Sequence, residues 1–169
     1  MRIREARAAD AETVRRVHRE SIKGLGPAAY SSEQVAAWAW GTQSADYAAT
    51  IESDDGHFVV AERDDELLGF DSLSFDPPEG YEASADAEMT GVYVHPSATQ
   101  EGVGTELLAA LERAASGRGV GMLGLSASHN ALGFYEWHGY ERVRSYEYEF
   151  SSDESTGVTG EIVEMKKDL

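Results

Sequence analysis

Residues 92–105 run Val92-Tyr93-Val94-His95-Pro96-Ser97-Ala98-Thr99-Gln100-Glu101-Gly102-Val103-Gly104-Thr105, and they leave the chain few folds to choose from. A β-branched run is cut by a proline, and a short polar loop follows. Two glycines then open a segment carrying Val103, Leu107, Leu108, Leu111 and Ala115 at one-sided helical spacing. The pattern predicts a strand, a tight loop and a helix packed on a sheet. The first turn of such a helix has backbone N–H groups without carbonyl partners and the positive end of the helix dipole. Glycines there let a ligand approach the backbone, so the segment predicts a cradle for phosphate or pyrophosphate. A P-loop is excluded, because no Lys-Ser or Lys-Thr pair follows the last glycine. A dinucleotide fingerprint would need Gly or Ala where Leu107 stands.

The other elements follow from periodicity and punctuation. Residues 3–7 read as a first strand, and Asp10 is placed to cap a helix to about Ser21, with Val14, Val17 and Ile22 inward. Gly24-Leu25-Gly26-Pro27 breaks it, and Ser31 or Ser32 caps a second helix over 33–39. Residues 57–62 and 67–75 form a hairpin about Asp64-Asp65. A proline-rich loop covers 76–85, and 87–94 reads as one central strand. After the glycine loop and its helix, residues 122–127 read as a buried strand. Residues 131–138 read as a helix ended by Gly139, and 140–150 and 162–167 as paired strands. The order β-α-α-β-β-β-α-β-α-β-β is not the strict alternation of a doubly wound sheet.

The glycine loop resembles the acetyl-coenzyme A loop of the GCN5-related N-acetyltransferases (GNAT), Val-x-Pro followed by Arg/Gln-x-x-Gly-x-Gly/Ala. Val94-His95-Pro96 and Gly102-Val103-Gly104 match; the Arg/Gln position falls on Thr99, with Gln100 one place late. Residues 131–140 resemble the family's later signature, Asn-x-x-Ala-x-x-Phe-Tyr-x-x-x-Gly-Phe. Ala131, Phe134, Tyr135, Gly139 and Tyr140 match, and the Asn position falls on Ser128, with Asn130 two places on. The order of elements matches that family along essentially the whole chain. The resemblance implies a GNAT acyl-CoA N-acyltransferase fold of mixed α/β class, with a central mixed sheet and helices on both faces. Residues 1–169 are expected to form a single domain.

The resemblance also implies a site. Acetyl-CoA is the co-substrate, with backbone groups of Val92, Tyr93 and Val94 on the pantetheine amides. Gln100, Glu101, Gly102, Val103, Gly104 and Thr105 hold the pyrophosphate, and Ser128 and Asn130 lie near the pantetheine arm. Tyr135 would protonate the departing thiolate; its alternative role is an aromatic filling the sheet–helix junction. Acyl transfer also needs a neutral amine, and a lysine-like amine has a pKa of about 10.4, so a base or a desolvating site is required. Glu88, opening the strand as Ala87-Glu88-Met89, is the expected base, directly or through water, with partial burial raising its pKa. Its alternative is a glutamate on an exposed strand face. Gly91 inside the strand predicts a bulge; in the family such a bulge opens the slot for pantetheine. Tyr30, Trp38, Asp76 and Tyr81 are expected at the acceptor cleft.

Composition narrows the function classes. The net charge is −17, with acid dispersed along the chain and lysine only at 23, 166 and 167. That balance argues against a nucleic-acid surface and resembles proteins of salt-in halophiles. With no cysteine there is no disulfide scaffold, thiolate metal site or cysteine nucleophile, and the five histidines lack ligand spacing, so no metal is expected. No apolar run follows the N-terminal charges and no segment has membrane-spanning length, so a cytoplasmic protein is expected. The leading function is an N-acetyltransferase acting on a small-molecule amine. A non-catalytic acyl-CoA sensor, an acetyltransferase of protein N-termini or lysines, and a homodimer remain open.

Overall fold

The computed structural model describes residues 1–169. The chain opens with β1 (Arg2–Glu5), then α1 (Ala11–Leu25), α2 (Ser32–Trp40) and α3 (Tyr47–Glu52), and continues into the hairpin of β2 (Gly56–Arg63) and β3 (Glu66–Ser74). Then come β4 (Ala87–Met89), β5 (Tyr93–Val94), α4 (Val103–Gly117), β6 (Met122–Ser128), α5 (Leu132–Trp137), β7 (Glu141–Glu149) and β8 (Thr159–Asp168). The eight strands form one sheet in the order β1-β2-β3-β4-β6-β8-β7, with β5 pairing β3 off this path. Only β4 and β6 run parallel to each other.

Helices cover both faces, as expected. On one, the α4 stripe of Val103, Leu107, Leu108, Leu111 and Ala115 is buried against Leu123, Leu125 and Met165. On the other, Val14 and Val17 of α1 pack on Phe58, Val60 and Phe70. Asp64 and Asp65, with φ of 51° and 64°, make the two-residue turn of the β2–β3 hairpin. Ser31 caps α2 by accepting from the Gln34 N–H, and the Gln34 side chain returns the bond to the Ser31 N–H.

Four expectations differ from the structure. Asp10 does not cap α1 with its side chain. A preceding 3-10 turn already has helical backbone angles there, and the carboxylate accepts from the Arg7 N–H and the Arg4 guanidinium instead. α1 ends inside Gly24-Leu25-Gly26-Pro27, as expected, but runs past Ser21 to do so. The helix continues to Leu25, and Gly24 is where it meets the glycine loop, since a Cβ there would lie 2.4 Å from the Pro96 ring. The short α3, capped by Asp46, has too few residues for apolar periodicity to announce it. The expected strand over 87–94 is two strands: Gly91 turns to φ +130°, outside the region open to other residues, and separates β4 from β5.

Candidate active site

The break at Gly91 builds the site. β4 pairs with β3 on one side and with β6 on the other, as far as Met89 opposite Leu125. β5 keeps only β3, while β6 runs on to Ser128 paired with β8 alone. The strands therefore splay beyond Met89, and a slot opens between Val92 and Ser128. Two cavities meet there, of about 470 Å³ over the start of α4 and about 300 Å³ over Glu88. Their common wall is Trp38, Val92, Tyr93, Ser128, Ala131 and Tyr135.

The larger cavity carries the anion cradle. Gly102 stands at the α4 N-cap with φ +84° and offers no side chain to satisfy the first-turn N–H groups. Open space surrounds the place of its missing Cβ, so a ligand can lie against the backbone. Gly104 serves packing: a Cβ there would be 3.2 Å from the Phe134 ring and 3.5 Å from Val92. Gln100 (φ +62°), Gly102, Val103, Gly104, Thr105, Val94, Ser128 and Asn130 line this cavity. No lysine or arginine does, so its anion-binding capacity is that of backbone N–H groups and the helix dipole.

Tyr135 stands at the seam of the two cavities, only 3% exposed, and its hydroxyl oxygen accepts from the Val92 N–H at 3.1 Å. Burial, reinforced by the nearby Asp71 carboxyl, pushes its pKa far above the ordinary tyrosine value, so the phenol holds its proton. Asp71 is itself fully buried. Burial raises its pKa well above the carboxylate range, while the Ser72 N–H, donating at 2.8 Å, and the Gly91 N–H work the other way. That places a buried carboxyl at the strand break. The Val92 N–H, expected on a pantetheine amide, is taken by Tyr135.

Glu88 lies half-buried in the smaller cavity, opposite Gly124 of β6 in the sheet register. Gly124 makes room for the Tyr81 ring, which a Cβ there would approach to 3.0 Å. The Tyr81 phenol shares this cavity with Glu88 and stands 3.0 Å from Ser126 Oγ. Burial first, and then the neighbouring Glu88 carboxylate, drive its pKa far up, so it too stays protonated. Ser126 passes the chain to the Tyr146 hydroxyl at 2.8 Å. The loop that carries Tyr81 is pinned by Glu164, whose side chain is without solvent exposure. It accepts from the N–H groups of Glu82 and Ala83 at 3.0 and 2.9 Å and from Arg144 Nε at 3.0 Å. Burial works against its charge, but these donors hold its pKa below the usual value.

Three expected residues stand elsewhere. Tyr30 lines neither cavity. It is buried, accepts from the His129 N–H at 3.0 Å and donates to the Glu161 carbonyl at 2.7 Å, tying α2's entry to β8. Asp76 borders a separate polar cavity that meets the Glu88 cavity at Thr90. Glu101 points away from the cradle to Arg63 at 3.2 Å. Conversely, Ser126, Tyr146, Tyr148 and Phe150 line the Glu88 cavity without having been singled out. Their signal is the alternation Tyr146-Glu147-Tyr148-Glu149-Phe150, which sets three rings on one strand face.

The chain's likenesses agree with this geometry. Residues 26–140 match the Acetyltransferase (GNAT) family. Among solved structures, a GCN5-related N-acetyltransferase from Rhodopseudomonas palustris is 28% identical, with 99% of this chain and 95% of that one covered at a TM-score of 0.84. The PaiA N-acetyltransferase of Thermoplasma acidophilum, in complex with coenzyme A, is 24% identical over 99% of this chain and 98% of its own, with a TM-score of 0.73. A ribosomal-protein-alanine N-acetyltransferase from Brucella melitensis shares the fold at 22% identity, full coverage of both chains and a TM-score of 0.65. A search of curated proteins finds no match. With the family match spanning both the splayed strands and the glycine loop, this chain is an acetyltransferase and belongs to the GNAT family.

Proposed function

We propose that the enzyme moves the acetyl group of acetyl-CoA to the primary amine of a small molecule by direct attack, with Glu88 as base and Tyr135 as acid. The observation that carries this reading is the meeting of two cavities at Tyr135. One holds a helix start with bare N–H groups and the other holds Glu88.

The first-turn N–H groups of α4 would hold the pyrophosphate, and the slot beside Val92 would take the pantetheine. Acetyl-CoA brings a thioester carbonyl to the seam. The amine nitrogen attacks that carbon from the Glu88 side, the C–S bond breaks, and one amine proton passes to Glu88. The sulfur leaves as a thiolate and takes the Tyr135 proton; the Val92 N–H holds the phenolate briefly, and burial makes it a strong base that regains a proton from water as coenzyme A departs. A thiol leaves adequately unaided, since its pKa is about 8.5, so the acid accelerates and is not indispensable. The small volume of the acceptor cavity, about 300 Å³, favours a small molecule over a protein chain. The dispersed acid and scarce lysine support action in concentrated salt within the cytoplasm.

The test is thiol release from acetyl-CoA over an amine panel at high salt, with Glu88→Gln alongside. Turnover at neutral pH should fall by about two to three orders of magnitude in the variant, as for loss of a general base. It should recover as pH nears the amine's own pKa of about 10.4. Coenzyme A affinity should be unchanged. A wild-type pH profile in the variant would remove Glu88 from the mechanism.

A further inference from the structure

The cavity over Glu88 has a distinctive chemistry. Glu88 is its one carboxylate, and neither lysine nor arginine lines it. Its walls are rings: Tyr81 from the proline loop, Trp38 from α2, and Tyr146, Tyr148 and Phe150 from the β7 side. Trp38 and Phe150 stack at 5.9 Å with planes 22° apart, and Tyr148 meets Phe150 edge-on at 6.1 Å. Phe150 is buried and forms the floor, while Tyr148 is 39% exposed at the mouth.

We propose, resting on the catalytic reading above, that the acceptor is a monocationic primary amine on a flat apolar body, an arylalkylamine in chemical class. One carboxylate pairs one ammonium, and ring faces accept both the cation and an apolar body. A second ammonium inside about 300 Å³ would lose its water without gaining a counter-ion. An α-carboxylate would meet Glu88 with no cation to pair it, so the amine is preferred over the corresponding amino acid. The sharpest rival is a polyamine long enough to pass Thr90, because the polar cavity beyond it holds Asp55 and Asp76. A multiply charged aminoglycoside has more ammoniums still and less room.

The experiment compares kcat/KM for 2-phenylethylamine, phenylalanine, spermidine and kanamycin at saturating acetyl-CoA in concentrated KCl. 2-Phenylethylamine should exceed phenylalanine by at least about 100-fold, the scale of stranding a buried charge, and spermidine by about tenfold, since a polyamine can reach towards the polar cavity beyond Thr90. Spermidine, kanamycin or phenylalanine outrunning it overturns this assignment and leaves the acetyltransferase reading standing. No turnover of any amine, with acetyl-CoA bound, overturns the catalytic reading and this assignment together. Tyr148→Ala should raise KM for 2-phenylethylamine about tenfold at nearly constant kcat, the scale of a lost aromatic contact, and Tyr148→Phe should restore it. An unchanged KM in a folded Tyr148→Ala variant overturns the ring wall as the determinant.

Discussion

Tyr135 and Val92 share one hydrogen bond across the seam, and that bond gives Tyr135→Phe two separable effects. Loss of the acid should lower turnover about a hundredfold. The loss should shrink with an acyl donor whose thiol is more acidic, and an equal loss with both donors would assign Tyr135 to positioning. Loss of the acceptor leaves the Val92 N–H unpaired, which should cost about 1–3 kcal/mol in a denaturant titration. A second residue sets a pH limit. Burial holds the His18 imidazole down to about 4, with Nδ1 against the Tyr47 hydroxyl at 2.7 Å and Nε2 without a partner. The unfolded chain titrates near 6.5, so it takes up the proton first. The His18 contribution is therefore complete above about 6.5 and is lost as pH falls towards 4, by on the order of 3 kcal/mol. Urea midpoints from pH 7 to 4 should show a steeper decline in the wild type than in His18→Phe. At this scale the sequence spoke through motifs: Tyr135 sits inside Phe134-Tyr135 and Glu88 at a strand start. Asp71 and His18 sit in ordinary strand and helix patterns, and only packing reveals that Asp71 is fully buried and that His18 Nε2 is shut away from solvent.

Elements carry the site through their ends. The α4 start was legible because glycines at a helix N-terminus have a narrow physical meaning, and Gly91 announced the break in its strand. What periodicity could not show is that the break ends the pairing of β4 with β6 and so makes the slot. Nor could it show that the loop carrying Tyr81 is fastened to Glu164 and Arg144, far along the chain. The rings over Glu88 were missed for a related reason: Tyr146, Tyr148 and Phe150 alternate with glutamates, and only the packing shows that they line its cavity. Gly104→Val tests the α4 start. Its side chain would press on Phe134 at the point where the helix meets α5. Overpacking of that kind costs about 1–3 kcal/mol. Coenzyme A affinity should drop roughly ten- to hundredfold, the same range in free energy. Binding of 2-phenylethylamine should change little, since Gly104 does not border its cavity. Unchanged coenzyme A affinity, by calorimetric titration, would remove α4 from the cradle.

The whole molecule holds a charge of −17, yet its proposed co-substrate is a polyanion met by no lysine or arginine in the cradle. Ordinary anion sites weaken as salt screens their cations; here salt screens repulsion. Raising KCl from about 0.1 M to 1 M shortens the Debye length from about 10 Å to about 3 Å. Coenzyme A should therefore bind more tightly across that range, and the melting temperature should rise with it. A Kd that grows with salt would show that an attractive field dominates. The position of β8 bears on how the molecule is made. It lies between β6 and β7, and β7 has no other neighbour. A ribosome delivers β7 first, so Tyr146 and Tyr148 wait beside a sheet with nothing to join until residues 159–168 have emerged and slipped into place. During synthesis the rings of β7 that face Glu88 therefore gain their place on the sheet only after β8 has been made.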